Sequence, residues 1–423
     1  MVENFQSKSG KVYIAGAGIA GLSAAVACVK KGHNVSLFEA ARHAGGRCRS
    51  FEDSVLERVI DNGNHLILSG NYSIKQYLKG INATGNFEPV DPVRFEFVDL
   101  DAGISWSLTP SAGRFPWWIL LPSKRIPGTS LGDYLALSKL KSADDETVAN
   151  LIDPTQPIFE RFWQPLCRAV LNTDASEGSA ATIWTMLSQT LLQGRKASCP
   201  MLAKDGLSAA LVDPAVNYLT TYNAAPQYST RLRAIDSSGD RVGSITLNDQ
   251  KIELDPQDQL ILALPPYELS ALLPDITVPT GTRAIVNVHF RLDDPPNLPN
   301  GAPFVGLVGS TAQWLFKRGD VFSVTISAAD ELAKKTNDEI AVKIWPEIAK
   351  VIGRDDGTIP LVRIIKEQRA TIAQTPEQNH RRPDSSTKWQ NLFLAGDWTN
   401  TGLPATIESA VYSGQKAADL LKK

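Results

Sequence analysis

The clearest chemistry in this chain sits in a short run of glycines and one carboxylate near its start. Gly16-Ala17-Gly18-Ile19-Ala20-Gly21 has the pattern G-x-G-x-x-G. Gly16 allows a tight turn, Gly18 lets a pyrophosphate approach the backbone, and Gly21 lets a helix pack closely on a strand. Glu39 stands eighteen residues after Gly21. Its carboxylate can accept hydrogen bonds from ribose hydroxyls and would repel a 2′-phosphate. Gly16, Ala17, Gly18, Gly21 and Glu39 therefore form a candidate dinucleotide site. The elements that must position them are also legible. Lys11-Val12-Tyr13-Ile14-Ala15 reads as a buried parallel strand, residues 22–30 as an Ala-rich helix, and Asn34–Phe38 as a second strand ending at Glu39. The helix start would offer free N–H groups and a positive dipole end to phosphate.

Gly45-Gly46-Arg47 follows Glu39 by six residues. With this stretch the chain resembles the flavoprotein superfamily of amine oxidases and isoprenoid desaturases, where E-x(5)-G-G-R wraps the pyrophosphate of FAD. The resemblance implies FAD as cofactor, with Gly46 and Arg47 among its contacts. It recurs near the C-terminus. Residues 391–398 read as a strand ending in Gly396-Asp397, followed by a helix over 404–421 with Pro404 in its first turn. The resemblance gives Gly396 a close approach to the cofactor, Asp397 its ribityl or pyrophosphate region, and the backbone N–H of Ile407 the flavin O2. The helix dipole there would favour an anionic reduced flavin.

A hairpin expected over 48–60 ends in Asp61-Asn62-Gly63-Asn64-His65. The resemblance places this stretch beside the flavin ring, so Asn62, Gly63 and Asn64 join the cofactor contacts, with Gly63 permitting close backbone approach. Taken alone, His65 is equally a satisfied histidine at a turn.

Composition bounds the rest. A chain of 423 residues implies two or three domains. The net charge of −2 shows no nucleic-acid footprint. Cys28, Cys48, Cys167 and Cys199 lack C-x-x-C spacing and read as free thiols of a reducing compartment. No metal site is expected. Residues 1–10 are polar with no apolar core, so no signal peptide is expected, and no apolar run is long enough to span a bilayer. The expected location is cytoplasmic, peripheral on the inner face of the membrane.

From residue 69 to 196 the strand-helix alternation stops. Helices are expected over 69–79, 130–140, 143–151 and 182–193, with a strand near 94–98. Pro116-Trp117-Trp118-Ile119-Leu120-Leu121-Pro122 is bracketed by prolines. It reads first as core, and alternatively as an exposed apolar mouth touching a bilayer. Later come a helix over 206–219, strands over 226–235, 260–266 and 305–327, and an amphipathic helix over 332–352 with a solvated face. The superfamily's adenine contact aligns near Pro226, which has no N–H. Along 285–290, Ile285, Asn287 and His289 share one strand face. That face meets either solvent or a cavity. The lysine that amine oxidases usually carry on this strand is absent.

Residues 162–173, beginning Phe162-Trp163-Gln164-Pro165-Leu166 and ending Leu171-Asn172-Thr173, Ile285 to Phe290, Gln313-Trp314-Leu315-Phe316, Arg369-Ala370-Thr371-Ile372-Ala373-Gln374-Thr375-Pro376 and residues 391–414 closely resemble one branch of the superfamily, the hydroxysqualene dehydroxylases. The fold so implied is α/β: a GR2-type, Rossmann-like FAD-binding domain with an inserted mixed α+β substrate domain. Its FAD segments would be 1–75, 199–268 and 386–423, and its substrate segments 76–198, mostly helical, and 269–385, sheet plus helix. The activity implied is reductive removal of the hydroxyl of hydroxysqualene to give squalene, in hopanoid precursor supply. His65 and Asp61 are the candidate acids, with His289 behind them. An isolated Asp is ionised at neutral pH, so Asp61 would need strong desolvation. Alternatives are a carotenoid-type desaturase, an amine oxidase, and a non-enzymatic prenyl-lipid escort. The partners expected are a long isoprenoid, a membrane surface, and an electron donor: an external reductase, reduced nicotinamide or free reduced flavin. One G-x-G-x-x-G leaves no second dinucleotide domain in this chain.

Overall fold

The computed structural model describes residues 10–354 and 357–421, so the polar stretch 1–9 lies outside the described residues. A four-stranded parallel sheet runs in the order Leu392–Leu394, Gln259–Leu262, Lys11–Ala15, Asn34–Phe38. Three distant parts of the chain thus build one sheet. The first strand serves two cores by alternation. Val12 and Ile14 pack with the helices on one face, whereas Tyr13 and Ala15 join the other face with Val242, Ile245 and Leu247. Those last three belong to an antiparallel sheet of Leu232–Ser238, Arg241–Leu247 and Gln250–Glu253.

Helix Ile19–Lys30 follows the glycine turn and lies against the C-terminal helix Ile407–Asp419. The approach requires small residues. A Cβ on Gly414 would stand 2.2 Å from Ala20 O of the facing helix, and within the turn itself a Cβ on Gly21 would stand 1.8 Å from Gly16 O.

The second body is a seven-stranded sheet, in the order Leu361–Ile372, Thr282–Arg291, Val321–Ile326, Trp314–Arg318, Phe304–Val308, Phe95–Asp99, Ile104–Leu108. The parallel pair of Phe304–Val308 with Phe95–Asp99 joins chain from both sides of residue 200. Helix Asn337–Ile352 buries Ile340, Ile344, Trp345 and Ile348 in the same core as Val286, Val288 and Phe290. The helix expected over 332–352 therefore covers the sheet with one whole face, in addition to its solvated one.

The helical insertion is more broken than its periodicity suggests. The stretch 130–140 forms two short helices, Leu131–Leu135 and Leu137–Leu140, and only Val148–Leu151 is helical in 143–151. The two most distinctive sequence blocks meet here. Asn172 donates to Thr371 Oγ1 and accepts from Ala328 N, and Gln374 donates through Nε2 to Leu171 O. Fully buried Gln374 also receives Ala405 N on Oε1. It thereby ties the insertion to the entry of the C-terminal helix.

Candidate active site

One cavity of about 1090 Å³ is lined by Glu39, Gly18, Gly46, Arg47, Asp397 and Ile407, and also by Leu108 and Leu191 of the other body. It exceeds the roughly 300–1,000 Å³ of a single small-ligand pocket. At one end it is the nucleotide cleft expected from the motifs. Gly16 adopts φ +101° at the turn, and a Cβ on Gly18 would point into open space. The first turn of helix Ile19–Lys30 has no side-chain cap, so its N–H groups remain available to an anion. Glu39 accepts from Ala17 N and Ala41 N, both at 2.8 Å. Two backbone bonds fix its carboxylate and leave further lone pairs for ribose hydroxyls.

Arg47 and Asp397, 350 residues apart, form an ion pair at 2.8 Å, and Arg47 also donates to Ala370 O. Arg47 is open to the cavity, and Asp397 is buried behind it. The C-terminal helix begins at Ile407, with Thr406 as its N-cap, later than the Pro404 start expected from the sequence. Gln374 and Arg382 hold the intervening loop through its backbone. Arg382, itself buried, donates to the carbonyls of Asp397, Thr399 and Leu403. No spacing rule points to Arg382, because its partners are loop carbonyls. These features fit FAD: a bare helix start, an arginine held at the cavity wall, and a second helix start at Ile407.

The adenine-side register differs from expectation. Pro226 does not line the cavity, whereas Thr230, Arg231 and Leu232 do. Residue 227 forms an isolated bridge to Phe38, and the strand proper starts only at Leu232. Residues 226–231 therefore form a connection.

Asn62, Gly63, Asn64 and His65 also line the cavity, together with Asn287 and Thr325. Phe95, Phe97, Phe162, Trp314 and Phe316 line it too. Burial lowers the pKa of His65, so its imidazole is mainly neutral at pH 7. The other two candidate acids lie elsewhere. Asp61 accepts from Ser50 Oγ at 2.5 Å, Leu207 N at 2.9 Å and Arg318 Nη1 at 2.7 Å. It ties hairpin, loop and sheet together, and it is absent from the cavity wall. His289 is 1% exposed and bonded through Nδ1 to Ser323 Oγ at 2.7 Å. The face it shares with Ile285 and Asn287 leaves the cavity before reaching it.

His289 has a different consequence. Burial, its main cause, pushes its pKa down to about 4, and its Nε2 has no partner. Between pH 6.5 and 4 the unfolded chain binds a proton that the folded chain refuses. Stability therefore falls as pH drops through that window, by about 2–3 kcal/mol from this residue. Denaturant melts at pH 7 and pH 4.5 should show His289→Leu losing less stability than the parent on acidification. Equal losses would remove His289 as the cause.

The proline-bracketed run is not core. Trp117–Leu120 is a short 3-10 turn with Trp117 65% exposed, and Leu121 is 55% exposed. Phe115 and Leu135 are also exposed, while Trp118 turns inward onto Tyr134. The prolines prevent this stretch from joining a sheet or a longer helix. No helix among the described residues is long and apolar enough to cross a membrane.

Comparison with known proteins agrees with this architecture. The family model for flavin containing amine oxidoreductase matches residues 19–422. The chain is 42% identical to a hydroxysqualene dehydroxylase of Rhodopseudomonas palustris over 97% of this chain and 98% of that one. It is 43% identical to one of Sinorhizobium fredii over 97% of both. A 15-cis-phytoene desaturase of Synechococcus elongatus is more distant, 22% identical over 97% of this chain and 95% of its own length. Among solved structures, an oxidoreductase from Methanosarcina mazei superposes with TM-score 0.74 at 14% identity, covering 97% of this chain and all of its own.

Proposed function

The chain belongs to the flavin-containing amine oxidoreductase family, among its hydroxysqualene dehydroxylases, and from that premise we propose that it converts hydroxysqualene to squalene. It is an FAD-dependent oxidoreductase, so the escort alternative is set aside, and the desaturases are distant relatives only. Glu39, Gly46, Arg47, Asp397 and the backbone at Gly16–Gly18 and Ile407 would hold FAD. When bound in reduced form, FAD supplies a hydride.

The observation that carries the reading is a large cavity, continuous with the nucleotide cleft, whose mainly apolar and aromatic lining includes a polar island of Asn62 to His65 with Asn287 and Thr325, besides other polar side chains such as Arg168 and Gln189. A substrate with hydrocarbon arms and a single hydroxyl matches it. His65 donates a proton to the allylic hydroxyl oxygen. The C–O bond breaks, its electron pair leaves with water, and an allylic cation remains. The rings of Trp314, Phe316, Phe97 and Phe162 offer negative faces to that charge, and the apolar walls keep bulk water from recapturing it. Anaerobic incubation of the protein with reduced FAD and hydroxysqualene should yield squalene. Unchanged substrate, or a more unsaturated product, would refute the reading.

We place the protein peripherally on a membrane, held by the exposed turn at Phe115, Trp117, Leu120 and Leu121 with Arg114 and Lys124 beside it. Leu108 lines the cavity, and the chain that follows it carries this turn, which suits delivery of a lipid. Trp117→Ser with Leu121→Ser removes roughly 100 Å² of apolar contact, about 2.5 kcal/mol at 25 cal/mol per Å². The double variant should stay in the supernatant when liposomes are sedimented. Unchanged co-sedimentation would exclude this turn as the anchor. For electrons we favour a partner reductase or free reduced flavin, because an apolar cavity would desolvate a charged nicotinamide dinucleotide.

A further inference from the structure

The polar island contains a hydrogen-bond chain whose direction is set by the backbone. Asn287 Nδ2 donates to the carbonyl of Asn62 at 3.2 Å. A carbonyl can only accept, so the amide of Asn287 must turn its NH₂ inward and its Oδ1 toward Thr325. Thr325 Oγ1 donates to that Oδ1 at 2.8 Å. Its one proton is then committed, and toward Asn64 it can only accept. Asn64 Nδ2 accordingly donates to Thr325 Oγ1 at 3.0 Å. At the outer end of the chain Asn64 Oδ1 is an acceptor without a protein partner among the described residues, beside the second N–H of Nδ2. Asn64, Thr325 and Asn287 all line the cavity. Asn287, Thr325 and Trp314 form one rung across three neighbouring strands.

We propose that Asn64, oriented by Thr325 and Asn287, is the hydroxyl-recognition site, and that it reads the alcohol O–H as a donor. This rests on the proposed function and adds its specificity determinant. It also reassigns Asn64, expected from the sequence to contact the cofactor, to the substrate. Asn64 touches substrate, while Thr325 and Asn287 are positioning residues. The mode of recognition suits the chemistry. An alcohol that donates its proton to Asn64 keeps both oxygen lone pairs free, and His65, the next residue, can protonate one of them. A site that donated to the alcohol would occupy a lone pair and oppose that protonation. The polarity also makes a selection: an ether of the same shape has no proton to give, and a hydrocarbon leaves Asn64 Oδ1 without a partner.

The test is equilibrium binding to the FAD-loaded protein in detergent micelles, read by tryptophan fluorescence, with hydroxysqualene, its methyl ether and squalene as probes. The wild-type protein should bind the alcohol about tenfold more tightly than the ether, the worth of one hydrogen bond in a dry site. Thr325→Val keeps the β-branched shape and removes the hydroxyl. It should bring the alcohol-to-ether ratio close to one while squalene affinity stays unchanged, and Thr325→Ser should restore the ratio. Unchanged squalene binding and FAD content establish that the variant is folded. Equal binding of alcohol and ether by the wild-type protein overturns the proposal without any variant, and so does an undiminished ratio in Thr325→Val. If the wild-type protein binds neither alcohol nor hydrocarbon, the proposed function falls and this inference with it. Tight binding without discrimination removes this inference alone.

Discussion

Replacing His65 with leucine will lower kcat for squalene formation by roughly 10²–10⁴-fold, the usual contribution of a positioned general acid. His65 is the only one of the three candidate acids on the cavity wall. Burial lowers its pKa below the ordinary histidine value. The protonated form is therefore scarce at pH 7 and grows as pH falls below about 6.5. The parent enzyme should accordingly speed up toward acid pH until the lowered pKa is passed. The leucine variant should lose that limb together with its rate. His289 weakens the fold over the same window, so initial rates must be taken with the folded fraction measured alongside. A leucine variant with the parental rate and the parental acid limb would show that the proton comes from another group.

Replacing Asp397 with alanine will deplete the purified protein of FAD. Asp397 is buried, and its carboxylate balances Arg47 at the cavity wall. Without it Arg47, itself open to the cavity, loses the partner that fixes it at the wall, so flavin content should fall. The control is His380→Ala, which breaks only an exposed pair with Asp145 and should leave flavin content unchanged. Flavin absorbance per protein, measured after gel filtration, reads both variants. Equal content in the two would take Asp397 out of the cofactor site. Arg47→Lys is expected to resemble the alanine variant, because a lysine cannot reach Asp397 and Ala370 O with a planar fork.

What the sequence alone could determine was whatever a short span of chain decides. The turn at Gly16–Gly21 depends on backbone freedom within six residues, and the strand before it and helix after it follow from local periodicity. Glu39 is legible for the same reason, since it closes the second strand, whereas Gly46-Arg47 and Gly396-Asp397 are legible through the family resemblance of their short motifs. Remote partners are what the sequence leaves undecided. Asp61 reads as an acid beside a turn until Arg318, 257 residues away, and Leu207 take its oxygens. His289 has the right alternation, but strand period cannot say where along a face the cavity ends. The helix expected from Pro404 starts at Ile407, with Gln374 holding Ala405 from across the fold. The proline-bracketed aromatic run has the composition of a core, and only packing turns Trp118 inward and leaves Trp117 out. The polarity of the substrate wall is the extreme case. Asn64 meets Thr325 across 261 residues and Asn287 meets Asn62 across 225. Which end of each side chain meets its neighbour is set by one buried carbonyl, a property of three-dimensional register that no spacing in the chain encodes.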